Sequence, residues 1–461
     1  MAIIHQPQLF SWNDVEACSD LHRLRMVLEA LPDETLMQTL ETERRGRRDD
    51  YPLRAVWNSL LAGLVFQHAS IESLRRELRR NAELRQVCGF DVFQGAEAVP
   101  PPWVYTRFLK KLLRHQDLVD AMFEALVGRL QQELARLGTR VAVDAKALWS
   151  FGRKPSEAKR EDRDGRRDTD ADWGTKTYKG VREDGTVWEK VKRWFGYKVH
   201  LVVDADYELP LAYTVTRASA GDSPELPKLL QHLDETHPQM LERAKVLSGD
   251  SAYDSAAHHE ELWETYHIKP VIDVRNCWNE EPHQPRQLFP DRVDTMFYTA
   301  EGHVVCRCRD LPGPDDAPDP LANYEPMVYQ GFEADRGCLK YRCPAAVRGV
   351  QCTQRDLCHQ GRHSAHGRVV RVPLDYDRRL FTPLARDSKA WARQYKRRTS
   401  VERVNSRIDG SFGFERHTIR GLKKMRFRVG LALVVMLALA LSAVRAGRHE
   451  HMRSLIHPRA A

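Results

Sequence analysis

The sequence predicts an α/β protein: a mixed β-sheet flanked by helices, with an all-α region ahead of it and a cysteine-rich insertion within it. Three observations carry this. Apolar residues recur at helical spacing over residues 1–138. From Thr139 the pattern changes to runs of β-branched residues that end in polar turns and then alternate with helical stretches. After Val274 the alternation stops, and six of the nine cysteines fall between Cys306 and Cys358.

A chain of 461 residues can bury more than one core, and 42% hydrophobic residues exclude wholesale disorder. Lys and Arg number 72 against 64 Asp and Glu, a net charge of +8. That excess is clustered, and a clustered basic surface attracts polyanions such as DNA. The start, MAIIHQPQLFSWNDVE, has neither the basic nor the apolar region of a secretory signal. A cytoplasmic protein is expected, and its clustered thiols point to metal rather than to disulfides. The apolar run Val429–Val444 is short for a membrane span and is flanked by Arg428 and Arg445. It is expected to be a helix buried in a soluble core.

Taken in order, residues 1–138 form a helical domain. YPLRAVWNSLLAGLVFQ and DLVDAMFEALVGRLQQELARL carry the apolar spacing. Between them lie the basic segments ESLRRELRRN and YTRFLKKLLRH, separated by VPPPW. Short helices with broken connections suit a DNA-binding bundle, helix-turn-helix among its forms, with Arg75, Arg76, Arg107, Lys110 and Lys111 on DNA. An ordinary helical domain with a solvated basic face fits the same pattern. Residues 139–275 begin the sheet with the strand TRVAVDAKALWS. The charged stretch Gly152–Arg193 reads as a mobile surface loop. Two strands follow, in GYKVHLVVDAD and LPLAYTVTRAS. Next comes a helix with Ser223 as N-cap and Pro224 in its first turn, then a strand ending at Gly249–Asp250, a helix in HHEELWETYH and a strand in KPVIDV. Residues 276–380 are an inserted subdomain, 381–446 return to helix, and 447–461 are a tail.

Three acidic residues stand out. Asp144 lies inside a strand pattern, where a charge is costly unless it pairs or works. Asp250 ends a second strand, and Glu402 lies on a helix. Two strand-end carboxylates and a helix-borne one make an oxygen cup for Mg²⁺ or Mn²⁺, which two-metal phosphoryl transfer on DNA requires. Each Asp is equally readable as a turn residue, and Asp204, Asp206 and Asp222 occupy similar places. The helix discriminates better: Tyr395, Arg398 and Glu402 are three and then four residues apart and share one face. From Arg393 to Arg428 there are twelve basic and three acidic residues. In the insertion, Cys306, Cys343, Cys352 and Cys358 are the preferred ligands of a structural Zn²⁺, with Cys308, His359 and His363 as substitutes; scattered free thiols are the alternative.

Tyr395-x2-Arg398-x3-Glu402 resembles the Tyr-Arg-Glu-Lys signature of bacterial insertion-sequence transposases with an Asp-Asp-Glu active site. VAVDAKAL and GDSAYDS resemble the two Asp motifs of that family, and FGFERHTIRGLKKMRFRVGLALVVMLALAL the segment after the Glu helix. The resemblance implies a ribonuclease-H-like catalytic fold and two Mg²⁺ ions on Asp144, Asp250 and Glu402. It implies binding to the terminal inverted repeats of double-stranded DNA, then cleavage and strand transfer to a target. The working form would be a homodimer or larger assembly at the bacterial nucleoid. Tyr395 and Arg398 take positions that contact phosphate near the cut. There are two departures. The signature Lys falls at Asp409, leaving Arg407 as a nearby substitute, and Ala252 stands where Gly is usual. A catalytically inactive or domesticated DNA-binding relative, or a nuclease of the same fold, are the alternatives.

Overall fold

A computed structural model describes residues 20–44, 51–152, 168–182, 186–275, 278, 284–291, 294–307, 323–352, 354–359, 366–453 and 455. The chain opens with seven helices among those residues. They are α1 (Asp20–Ala30), α2 (Glu34–Thr42), α3 (Leu53–Val65), α4 (Ile71–Arg80), α5 (Ala82–Cys88), α6 (Pro102–Leu112) and α7 (Gln116–Glu133). Local chemistry sets their ends. Ser70 accepts from the Ser73 amide to start α4, Pro102 opens α6, and Gly89 at φ 93° ends α5.

The sheet follows, with β1 (Arg140–Trp149), β2 (Asp172–Val181), β3 (Val187–Asp204) and β4 (Pro210–Arg217). Helices α8 (Glu225–Thr236) and α9 (Pro238–Arg243) lead to β5 (Val246–Gly249), then α10 (Ala256–Glu260) and β6 (Lys269–Ile272). β1 lies at the centre, antiparallel to β3 and parallel to β5, and β5 is parallel to β6. β4 pairs antiparallel with the second half of β3. The sheet is therefore mixed, as the sequence predicted.

One expectation is overturned. Much of the stretch read as a mobile loop is a β-ribbon: β2 pairs residue by residue with Val187–Gly196 of β3. Charge concealed it, since Lys and Arg alternate there with Trp, Val and Thr in a β pattern around Asp184–Gly185, a hairpin-turn dipeptide. Residues 153–167 and 183–185 lie outside the described part of the chain.

The insertion holds two small antiparallel sheets. One comprises β7 (Arg286–Gln287), β8 (Met296–Tyr298), β9 (Val304–Arg307) and β10 (Tyr324–Pro326); the other comprises β11 (Val328–Glu333), β12 (Cys338–Arg342) and β13 (Val369–Pro373). Between β12 and β13 lie α11 (Pro344–Arg348) and α12 (Arg355–His359). The segment buries its own apolar cluster, including Leu288, Met296, Leu339, Tyr341 and Phe381.

The chain then returns to the sheet through α13 (Lys389–Tyr395), α14 (Thr399–Gly410) and α15 (Leu422–Arg445). By length and composition α15 is apolar enough to cross a membrane, yet 89% of its most apolar window is buried inside the protein. It packs on α1, α3, α7 and β4. Gly430 permits the approach to β4, because a Cβ there would sit 2.4 Å from the Tyr213 hydroxyl. One continuous core runs through the N-terminal helices, the sheet and α15, so residues 1–138 share their interior with the sheet. The expected tail also folds back: Met452 and Leu455 join that core, and Arg453 donates to the Asp206 carbonyl.

Candidate active site

β1 carries Val141, Ala142 and Val143 into the core and then presents Asp144. On its parallel neighbour, Ala142 is level with Ser248, so two residues further on Asp144 and Asp250 stand side by side. Burial, and next the Asp250 charge, push the Asp144 carboxyl up to about 6; Lys176 and Arg398 act in the opposite direction. Asp250 caps the turn after β5, accepting from the Ala252 amide at 3.0 Å. That contact is to backbone, so alanine at 252 serves it.

α14 packs on β1 and β3. Glu402, Asn405 and Asp409 are three and four residues apart; Asn405 is buried toward the sheet, while Glu402, half exposed, and Asp409 lie at the edge of that face. Asn405 Nδ2 donates to Asp144 Oδ2 at 3.3 Å, and Asp409 pairs with Lys146, two residues beyond Asp144. One turn earlier, Arg398 donates to Glu402 Oε1 at 2.8 Å. Tyr395, Glu402 and Asp144 all reinforce the Arg398 charge. The Tyr395 ring stacks on Trp391 with centroids 4.9 Å apart, its hydroxyl donates to Asp273, and the Arg398 guanidinium lies 5.7 Å from its centroid. A cleft of about 650 Å³ opens beside these groups, lined by Lys146, Lys176, Lys192, Lys198, Asp222 and Asp250 among others.

Among the described residues no three His, Cys, Asp or Glu side chains gather at metal-binding range. The donor set nevertheless fits a hard divalent cation, because Asp144, Asp250 and Glu402 offer carboxylate oxygens. Asn405 Oδ1, beside Asp144, is buried without a partner. Two like charges side by side also favour a cation between them.

A family model described as a transposase DDE domain matches residues 163–438, more than half of the chain. The chain belongs to the DDE transposase family. The family makes it an enzyme of nuclease type with DNA as its partner and divalent metal as its usual cofactor. No curated protein matches it in a sequence search. The matched segment contains Asp250 and Glu402 and begins after Asp144, so the place of Asp144 in the transposase rests on its register with Asp250.

The other expected residues divide. Arg407 turns away from the carboxylates: it donates to the Glu208 carboxylate at 2.6 Å and to the Glu208 carbonyl at 2.9 Å. It therefore does not replace the missing signature lysine. Glu208 also engages Arg403 and Arg453, while Asp206 engages Arg140 and Arg397. This acidic turn between β3 and β4 engages three of the twelve basic residues in the stretch expected to grip DNA, Arg397, Arg403 and Arg407. Arg75 is likewise a brace, bonded to Glu72 and the Pro100 carbonyl with its side chain 11% exposed. Arg76, Arg107 and Lys110 are exposed, Arg107 over the exposed Trp103 ring, and Lys111 reaches the Glu43 carbonyl.

Of the three similar aspartates, Asp204 accepts from the Gly138, Asp206 and Tyr207 amides at the far end of β1. Asp222, by contrast, lines the active-site cleft and is held by Lys198 at 2.7 Å. In the insertion, Cys306 is buried in the apolar cluster, Cys343 precedes α11, and Cys352 and Cys358 flank and enter α12. Among the described residues no three of these thiols meet one another or His, Asp or Glu, and the segment has an apolar core of its own. Cys308, His363 and the His359 side chain lie outside the described residues.

Sequence reasoning passed over Asn405, Lys146 and Asp254. The first two were findable from the spacing, at one helical turn beyond Glu402 and one strand period beyond Asp144. Lys146 also decides what lysine at 409 would do. Position 409 is an aspartate paired with Lys146 on β1, both side chains partly buried. Asp409→Lys is expected to cost roughly tenfold in cleavage, because it leaves Lys146 facing a like charge. The exchange K146D/D409K should recover part of the loss in a single-turnover assay. No recovery would mean that the two residues act independently.

Proposed function

We propose that this chain is the transposase of a bacterial insertion sequence. On this reading it binds the terminal inverted repeats and catalyses strand cleavage and strand transfer by two-metal-ion phosphoryl transfer on a ribonuclease-H-like frame. The observation that carries the reading is the nearness of Asp144 on β1 to Asp250 at the end of the parallel β5, with the helix that bears Glu402 packed on β1. The sheet order β4-β3-β1-β5-β6, antiparallel on one side of β1 and parallel on the other, supports the frame.

When bound, Mg²⁺ would activate the attacking oxygen and stabilise the leaving one. The carboxylates of Asp144, Asp250 and Glu402 would hold it, and each must be deprotonated to do so. Asn405 fixes the Asp144 carboxylate in orientation. Arg398 offers a planar fork of donors to the phosphate beside the cut, with the Tyr395 ring setting its position. As an enzyme that brings two ends together, it would act as a homodimer or larger assembly on duplex DNA, in the cytoplasm at the nucleoid and away from membrane.

The test is a cleavage and strand-transfer assay with Mg²⁺ on a duplex carrying the sequence that flanks the reading frame. Nicks at the repeat boundary and joined products are expected, with a random duplex left uncut. Tight end binding without cleavage would identify an inactive relative. Cleavage governed by DNA structure rather than end sequence would identify a nuclease.

A further inference from the structure

The ribbon formed by β2 and the first half of β3 has a role beyond completing the sheet. Its ten paired residues span roughly 30 Å. Pairing puts Gly174, Lys176 and Gly180 on the same face as Trp194, Lys192, Lys190 and Trp188. Between the Gly174–Trp194 and Gly180–Trp188 pairs that face carries no acid. Each Trp lies against the glycine opposite. A Cβ at Gly174 would sit 2.3 Å from the Trp194 ring, and one at Gly180 would sit 2.7 Å from the Trp188 ring. The two indoles are thereby laid along the ribbon, leaving the lysines between them raised toward solvent. Lys176, Lys190 and Lys192 are exposed. The opposite face is mixed in charge, with both Glu189 and Arg193 on it.

This basic face runs into the active site. Lys176, Lys192 and Trp194 line the same cleft as Asp250, and Lys176 is close enough to act on the Asp144 carboxyl. We propose that this face of the ribbon is a DNA-backbone-binding surface, which carries the duplex arm entering the active-site cleft. Its length matches about one turn of duplex. Its chemistry suits a polyanion: an acid-free row of lysines supplies phosphate contacts that fix register without reading sequence. The partly exposed Trp188 indole beyond them provides surface for sugars and bases, while Trp194 is buried at the sheet end of the row. The acidic turn at Asp206 and Glu208 engages Arg397, Arg403 and Arg407, whereas Lys176 and Lys192 of the ribbon line the cleft beside Asp250. The inference rests on the transposase reading for the identity of the polyanion.

The experiment measures affinity for a random-sequence duplex by fluorescence anisotropy over a range of salt, with the full-length protein. K190Q/K192Q and K176Q/K190Q/K192Q replace exposed side chains and keep the glycine–tryptophan pairs. The slope of log affinity against log salt should fall by about 2 and about 3 respectively, with affinity reduced roughly tenfold or more at low salt. Wild-type slopes and affinities in both variants would overturn the proposal while leaving the transposase reading intact. Unchanged DNA binding with loss of protein–protein association would also overturn it, assigning the ribbon to a second copy of the chain. A wild-type protein that binds no duplex at all would overturn both.

Discussion

Asp144→Asn is expected to abolish strand cleavage and at the same time to make the protein more stable at neutral pH. The carboxyl is raised from an ordinary 3.8 to about 6, burial being the larger cause and the neighbouring Asp250 the next. Below the ordinary carboxylate range both folded and unfolded chains hold the proton, and the site costs nothing. As pH rises the unfolded chain gives up its proton first, while the folded chain keeps it until about 6. Stability therefore falls across that window and stays lowered above it. A shift of this size corresponds to about 3 kcal/mol. Asn carries no charge and keeps the contact with Asn405, so its Tm should exceed that of wild type at pH 8 by a few degrees and match it near pH 4. Cleavage by the wild type should rise with pH through about 6, at a midpoint that moves lower as Mg²⁺ is increased. Asp250→Asn and Glu402→Gln should also lose cleavage, and all three variants should retain DNA in a gel shift. A less stable Asp144→Asn at pH 8 would mean that the carboxylate is held by partners that outweigh Asp250. Normal cleavage by Asp250→Asn would shift attention to Asp222, which lines the same cleft.

Asp254→Ala should be among the most destabilising single changes in the chain. The Asp254 carboxylate is fully covered; it accepts from His259 at 3.2 Å and from the Arg275 amide at 2.8 Å, and it pairs with Arg379. These contacts bind the turn after β5 to the segment that leads from the insertion to α14, and so fix the approach of Asp250 to Glu402. Burial alone would raise this carboxyl, but its donors win and hold it at about 2. Its folded value lies below its unfolded one, so its contribution is present above the ordinary carboxylate range and is lost as pH falls toward 2. Removing it takes the carboxylate from the partly exposed Arg379, which keeps the Arg275 carbonyl, and leaves the donors of His259 and the Arg275 amide without their acceptor, at a cost on the order of 3 kcal/mol. Denaturant unfolding should show this loss at pH 7, and the variant should lose less stability than wild type between pH 4 and pH 2. A midpoint unchanged from wild type would show that Arg379 finds another acceptor.

How much of this was legible beforehand follows from what each residue's surroundings decide. β1, β4, β5 and β6 announce themselves because they bury β-branched and apolar runs, and α14 because Tyr395, Arg398 and Glu402 keep one face. Spacing could not say which way a side chain turns once the helix is docked. Arg407 and Asp409 are two residues apart, and only packing sends the first to Glu208 and the second to Lys146. Nor could it rank Asp204, Asp222 and Asp250, since the rank depends on which end of β1 each one meets. The ribbon escaped for a different reason. Its strands are stabilised by cross-strand pairs with little burial, so the hydrophobic signal used to find strands is faint there.

The buried helix Leu422–Arg445 has a consequence for synthesis. A ribosome delivers α1, α3 and α7 well before the helix that covers their apolar faces, which follows the last of them by about 300 residues. Until then those faces stay open, and the nascent chain must be shielded by a chaperone or stay loosely collapsed. Folding cannot proceed from the N-terminus one unit at a time. A message cut before codon 422 yields a product in which neither the N-terminal helices nor the sheet has a closed interior. Such a fragment would be cleared by proteolysis instead of persisting as a competitor for the DNA that the complete protein binds.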